Sequence, residues 1–400
     1  MSKWEEKRLE DIIDVNPPVK LKKGESYPFI DIDKVSPTRR SVTNEEVKVY
    51  NGQSSSKFCD GDTVFSRITP CLENRKIAKV AIEGDAAFGS TEFYVFRAKK
   101  KKADARFTYY LTSSNAVVLP AINSMTGASG RQRADKRFIQ RLKLNLPDLP
   151  TQERIADVLS AYDDLIDANN RRIELLEQTA QELYKEWFVR FRFPGYENAK
   201  FEDGIPDGWE QDKIQKYYNT CSGGTPSRSK PEYFENGVYP WVKTGEIKDC
   251  VIIDTEEYIT QEAVNSSSAK VLPAKSVAMA MYGVNIGLLA YFDSEMTCNQ
   301  ACCVFSDKRG FSSKHYLYYY LKSIREYLLL ISFGAAQQNL SQDLIKKIKI
   351  TMPSDDIIQD FEKRIDDIYE SIRILLMQNK NLAKQRDMLL PRLMSGKLEV

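Results

Sequence analysis

The chain is written twice. Trp4-Glu5 near its start returns as Trp209-Glu210, and Tyr27-Pro28-Phe29-Ile30 returns as Tyr239-Pro240-Trp241-Val242. Ala128-Ser129-Gly130-Arg131-Gln132-Arg133, shortly before Ile139, is answered by Gly334-Ala335-Ala336-Gln337-Gln338-Asn339, shortly before Ile345. Each copy then passes a proline-containing strand end, Leu146-Pro147 or Met352-Pro353, and enters a long helical pattern. A fixed period dictates architecture before any local signal does. Here the period is about 206 residues, the size of a domain. The chain must therefore hold two equivalent domains placed by two equivalent helices, which is the plan of a reader of something with two parts.

The domains read as mixed α/β. In the first copy, short β-rich runs at Tyr27–Ile32, Val47–Tyr50, Thr63–Ser66, Ile77–Ile82 and Glu92–Phe96 alternate with turn clusters, and a helix is expected from Ala105 to about Ser114. The second copy repeats this with strands at Gly237–Val242, Ser276–Met281, Gly287–Phe292 and Ala301–Phe305 and a helix near Ser313–Leu330. The division is 1–146 for the first domain, 147–195 for the first helical region, 196–350 for the second domain and 351–400 for the second helical region.

The helical regions carry a sustained 3-4 spacing. One seam runs Ile155, Leu159, Tyr162, Ile166, Asn169, Ile173, Leu176, Ala180, Leu183, Trp187; the other runs Phe361, Ile365, Ile368, Ile372, Leu375, Asn379, Leu382, Arg386, Leu389, Leu393. Such seams pack as coiled coils, and an Asn within one fixes register. The first helix should start near Thr151 and stop before Pro194-Gly195; the second should break around Pro391. Two matched seams in one chain can pair with each other as antiparallel helices, although either could instead dimerise the protein. About 38 residues at ~1.5 Å each make a rod of about 57 Å. Readers on one face of duplex DNA sit about 34–36 Å apart, a span that such a rod covers.

Composition narrows the partners. The 400 residues carry a net charge of only +2. Residues 1–146 nevertheless hold about nine more basic than acidic side chains, whereas the helical region after them is acidic. That asymmetry suits a basic face for a polyanion beside a helix with another partner. The N-terminus has no apolar leader and no run approaches a membrane span, so a cytoplasmic protein without membrane contact is expected. Seven scattered cysteines and a single histidine, His315, argue for buried reduced thiols and against a metal centre.

Several strings, in order and in duplicate, resemble the specificity subunits of type I restriction-modification systems. They are Ser222-Gly223-Gly224-Thr225-Pro226-Ser227, Pro240-Trp241-Val242-Lys243-Thr244-Gly245-Glu246-Ile247, Gln337-Gln338-Asn339-Leu340-Ser341, Leu183-Tyr184-Lys185-Glu186-Trp187-Phe188-Val189 and Leu389-Leu390-Pro391-Arg392-Leu393-Met394-Ser395-Gly396-Lys397-Leu398. The resemblance covers essentially the whole chain. It implies an α+β fold of two target-recognition domains separated by two long antiparallel helices forming a coiled coil, with an internal pseudo-twofold repeat. It implies a non-catalytic subunit that reads a bipartite, asymmetric sequence in double-stranded DNA, the helix pair acting as spacer and as dock for two modification (methyltransferase) subunits. S-adenosylmethionine, ATP and Mg are then expected only on partner subunits, including any restriction (translocase/nuclease) subunits. The first domain departs from the family strings, as it must if the two domains read different half-sites.

Base reading needs side chains with paired donors, or a donor and an acceptor: Arg for guanine, Asn and Gln for adenine. Arg131, Gln132, Arg133 and Lys136 have that composition in the first copy, with Arg67, Thr69, Arg75 and Lys76 as further candidates. In the second copy the candidates are Gln337, Gln338, Asn339, Thr225, Lys243, Thr244, Tyr282 and Asn285. Lys99-Lys100-Lys101-Lys102 suits phosphates or solvent. Trp187 and Phe188 fit either seam-end packing or a partner-docking surface. No GxxxxGK[ST] string is present. Asn16-Pro17-Pro18-Val19 lacks the aromatic and the glycine-rich cofactor loop of adenine methyltransferases, so a rigid loop is the expected reading. The alternatives are a specificity subunit of a related system without a translocating subunit, a stand-alone DNA methyltransferase, and a coiled-coil scaffold without DNA function.

Overall fold

The computed structural model describes residues 4–37, 39–44, 46–128, 130–332 and 339–400. The chain divides into two compact units, one of Met1–Asp167 with Asn379–Val400 and one of Ala168–Gln378.

The first unit is built on a five-stranded sheet in the order Ile13–Val15, Phe93–Ala98, Thr63–Ser66, Ile77–Val80, Ser41–Val42, antiparallel except for the last pair. Its central strands are buried on both faces, and alternate residues serve two cores. Phe65, Ile77, Tyr94 and Phe96 pack with Phe107, Tyr110 and Leu111 of the helix Ala105–Ser113. Val64, Ala78, Val80, Phe93 and Val95 pack with Ile30, Phe58 and Ala87 beneath a second, four-stranded sheet. The helix Ala105–Ser113 begins where the Asp104 carboxylate accepts the Phe107 N–H.

The second unit repeats this plan. Its sheet runs Tyr218–Ser222, Cys302–Asp307, Val277–Ala280, Leu289–Phe292, Cys250–Ile252, again with only the last pair parallel. The Tyr-Pro-aromatic string lies at equivalent places: Phe29 pairs with Phe88 and Trp241 with Thr297, both in parallel register. The expected single helix at Ser313–Leu330 is instead two, Lys314–Ser323 and Arg325–Ser332.

Two long helices, Leu149–Tyr184 and Asp355–Met394, each contribute a segment to both units. None of the expected seam positions is exposed. Within the first unit the segments run antiparallel: Leu159 shares a core with Leu393, Asp163 pairs with Arg386, and Arg154 Nε donates to the Val400 carbonyl at 2.9 Å. Within the second unit Asn169 Nδ2 donates to Gln378 Oε1 at 3.5 Å, while Tyr184 and Trp187 lie against Phe361 at ring distances of 6.4 and 5.8 Å. Each unit therefore holds its helix segments as an intrachain antiparallel pair.

The break expected at Pro391 does not occur, for the helix runs to Met394. A proline removes one N–H and with it one hydrogen bond, and the final turn closes beyond it. Ser395 N donates to the Pro391 carbonyl and Leu398 N to that of Arg392. The stop comes at Gly396, whose φ of +70° and close packing on the Trp4 ring exclude a side chain; an added Cβ would lie 2.9 Å from Trp4 Cε2.

Candidate nucleic-acid interface

In the first domain the structure brings four predicted residues together at one end of the central sheet. The loop after Thr126 folds back so that Arg133 N donates to the Thr126 carbonyl and Thr126 N to that of Arg133. Thr69 N donates to the Gln132 carbonyl at 3.0 Å, and Gln132 N returns a bond to Thr69 Oγ1 at 3.1 Å. Ala134 N donates to the Arg67 carbonyl at 2.8 Å. Arg67, Thr69, Gln132 and Arg133 are thus fixed by backbone.

A residue that the sequence reading missed joins them. Glu92 accepts from Arg133 Nε at 2.9 Å and Nη2 at 2.6 Å, and from Arg67 Nε at 3.2 Å. The hydrogen bond from Arg133 holds its carboxyl below the usual range, against some desolvation, with Arg67 adding to the effect. Arg67 also lies over the Tyr94 ring at 5.5 Å, and Tyr94 is anchored by its hydroxyl to the Ala134 carbonyl. Nothing in the sequence marks Glu92, 41 positions from Arg133; only strand pairing places it there.

Two other first-domain candidates, Arg75 and Lys76, go elsewhere. Arg75 Nη1 donates to the Ser113 carbonyl and Nη2 to Asn115 Oδ1, lining a cavity of about 560 Å³ with Arg40, Tyr110, Asp163 and Arg386. Burial lowers the pKa of its guanidinium. Lys76 Nζ donates to the Ile32 carbonyl at 2.9 Å. Arg131 is exposed on the loop, and Lys136 opens the short helix Lys136–Gln140. Lys100, Lys101 and Lys102 face solvent. Asn16 is a structural residue: its N–H and Oδ1 pair with the carbonyl and N–H of Val95.

The second domain gathers Thr225, Lys243, Thr244, Tyr282 and Asn285 around the corresponding strand ends. Thr225 Oγ1 donates to Gln300 Oε1, adding an exposed glutamine that the sequence reading also missed. Lys243 Nζ is held by Glu256 at 2.7 Å and Glu257 at 3.1 Å, and these bonds raise its pKa. The Asn285 amide donates to the carbonyls of Thr244, Gly245 and Ile247, so it shapes the loop that presents Lys243 and Thr244. Tyr282 is 39% exposed beside it. Gly223 and Gly224 permit close backbone approach: an added Cβ would lie 1.9 Å from the Cys298 carbonyl oxygen and 2.3 Å from Ala269 N. Gln337 and Gln338 lie outside the described residues; Asn339 is half-buried.

Two of the first domain's backbone bonds recur in the second copy. Leu340 N donates to the Met281 carbonyl and Met281 N to that of Ala301, matching Ala134 to Arg67 and Arg67 to Glu92. The positions that hold Arg67, Glu92 and Arg133 in the first domain hold Met281, Ala301 and Asn339 in the second.

Trp187 and Phe188 are 5% and 8% exposed and pack on Phe361, Tyr316 and Trp209. Both serve this chain's own core, which decides between the two readings the sequence left open. Cys298, Cys302 and Cys303 are likewise buried. Among the described residues no helix is long and apolar enough to cross a membrane.

The family described as the type I restriction modification DNA specificity domain matches twice, over residues 1–178 and 206–384. The chain belongs to this family. It is similar to the type I restriction enzyme HindI specificity subunit of Haemophilus influenzae, with 27% identity covering 88% of this chain and 90% of that protein. It is also similar to the MjaIX specificity subunit of Methanocaldococcus jannaschii, with 25% identity covering 99% and 94%. The crystal structure of the S subunit from M. genitalium shares the fold, with a TM-score of 0.56 and 14% identity over 98% of this chain and 96% of that one. The chain is thus a type I specificity subunit, a DNA-recognition protein and not an enzyme.

Proposed function

We propose that each domain of this specificity subunit reads one half of a bipartite, asymmetric DNA site, and that the two long helices set the unread spacer and dock two modification subunits. The observation that supports this most directly is the duplicated backbone wiring with different side chains at the presenting positions. Two copies of one scaffold with unlike donors will favour unlike base sequences. Arg67, Thr69, Gln132 and Arg133, with Arg131 and Lys136, are the base- and phosphate-contacting candidates of the first domain. Thr225, Lys243, Thr244, Tyr282 and Asn339, with Gln337 and Gln338, are those of the second. S-adenosylmethionine belongs to the modification subunits, which must draw the target adenine out of the stack; ATP and Mg belong to restriction subunits.

The test is co-expression with the cognate modification subunit and a genome-wide reading of methylated adenines. One motif of two short defined halves around a fixed spacer is the expected result. Methylation without such a motif would overturn the proposal, and methylation by the purified chain alone would identify a stand-alone methyltransferase. No sequence-dependent DNA binding even with modification subunits would leave a scaffold.

A further inference from the structure

We infer that Glu92 is a positioning residue that holds Arg67 and Arg133 as a paired guanine-reading fork, so that the half-site read by the first domain contains guanine. This rests on the DNA-reading function proposed above and adds the identity of a base and the residue that enforces it.

The geometry is specific about which edge of each guanidinium is used. Glu92 takes Arg133 side-on, through Nε and Nη2, and takes Arg67 through Nε. Among the described residues no carboxylate meets the end-on edge of either guanidinium; Arg133 Nη1 has only a long bond of 3.4 Å to the Arg131 carbonyl. The end-on edge, left to a ligand, presents two parallel N–H groups that match O6 and N7 of guanine in the major groove. A carboxylate along the other edge removes rotamer freedom before DNA arrives, which is what a reading site needs from its supporting residues.

The trio is also in the right place. The carboxylate is 20% exposed, whereas the Arg67 and Arg133 side chains are 30% and 44% exposed, so the support is covered and the readers are accessible. Its backbone is locked by the paired bonds between Thr126 and Arg133 and between Thr69 and Gln132. One carboxylate serves two guanidiniums, leaving the group with a net positive charge toward a phosphate-lined groove. Met281, Ala301 and Asn339 at the equivalent positions carry no guanidinium, so the second domain reads its half-site by other chemistry.

The experiment uses the full chain with its modification subunit and compares methylated motifs for the wild type, Glu92→Gln, Arg133→Lys and Arg67→Lys. Each lysine variant keeps its charge but loses the fork, and should lower discrimination at one guanine of one half-site by about ten- to a hundredfold. Glu92→Gln should weaken discrimination at both guanines together while raising affinity for non-specific DNA, because it removes a negative charge. The other half-site should not change in any variant, a pattern that general destabilisation would not produce. The inference is overturned if neither half-site contains guanine, if all three variants leave the motif unaltered, or if they degrade both half-sites alike. A wild-type complex with no bipartite motif would instead overturn the DNA-reading proposal itself.

Discussion

The two recognition domains share a sheet, a strand order and two of the backbone bonds behind their candidate loops, yet they are fastened to the long helices differently. In the first, Tyr110 donates to Asp163 at 2.5 Å, and Asp163, 3% exposed, also neutralises Arg386, with Arg40 within 4.0 Å. In the second, the corresponding contact is between two tyrosines, Tyr369 and Tyr319, at 3.4 Å. Around it lie His315, bonded to Asp366 at 3.0 Å, and Glu362, which accepts the Tyr316 N–H at 2.9 Å. A fold can thus conserve the position of a buried contact while changing its chemistry from ionic to neutral. The consequence is that the units should differ in which conditions weaken them.

The largest effect should come from Asp163→Ala. It leaves the buried Tyr110 phenol without its acceptor and leaves Arg40 and Arg386 only their more exposed partners, Asp164 and Asp387, and should cost about 3 kcal/mol in the first unit, measured by urea unfolding. Tyr369→Phe at the matching place should cost less than about 1 kcal/mol. Equal losses would break the comparison.

The next effect is pH dependence in the second unit. Burial pushes Glu362 from 4.5 up to about 8, the Tyr316 N–H opposing only in part. The stability from its neutral form is full below 4.5 and is lost as pH rises through 8. Burial lowers His315 from 6.5 to about 4 despite the Asp366 hydrogen bond, so its contribution is full above 6.5 and is lost as pH falls through 4. The two slopes oppose each other between about 4.5 and 6.5, and Glu362 alone acts from 6.5 to 8. Thermal melts of the second unit's transition should therefore fall across that upper window. Glu362→Gln should flatten the fall and stabilise at pH 8.5 by about 1–2 kcal/mol, because the amide carries no charge for burial to penalise and its oxygen can still accept the Tyr316 N–H.

The smallest effect concerns DNA. Lys243 is held by two glutamates, so Lys243→Gln should reduce the salt slope of binding by less than about one ion, whereas Arg131→Ala, on an exposed loop, should reduce it by about one. A larger change at Lys243 would mean that its ion pairs open on DNA.

Much of this was legible in the sequence because repetition is a one-dimensional signal. The offset of about 206 residues, the Tyr-Pro-aromatic strings and the seam spacing all survive in the order of residues. The central strands were legible for the same reason, since Thr63–Ser66 and Ile77–Val80 are apolar runs between turns. The site was legible only in composition. Arg67 and Arg133 were identifiable as candidates, but Arg75 and Asn285 look the same in sequence and turn instead toward backbone carbonyls.

By itself the sequence determined the duplication, the domain class and the paired helices, because those depend on periodicities that local sterics and burial enforce. The tertiary structure decided that Trp187 and Phe188 are core, that the second helix passes through Pro391, and that Glu92 stands between two arginines distant from it in the chain. The first two depend on what packs beside a helix and the last on which strand ends meet, and no spacing within one segment encodes the carboxylate that two others will share.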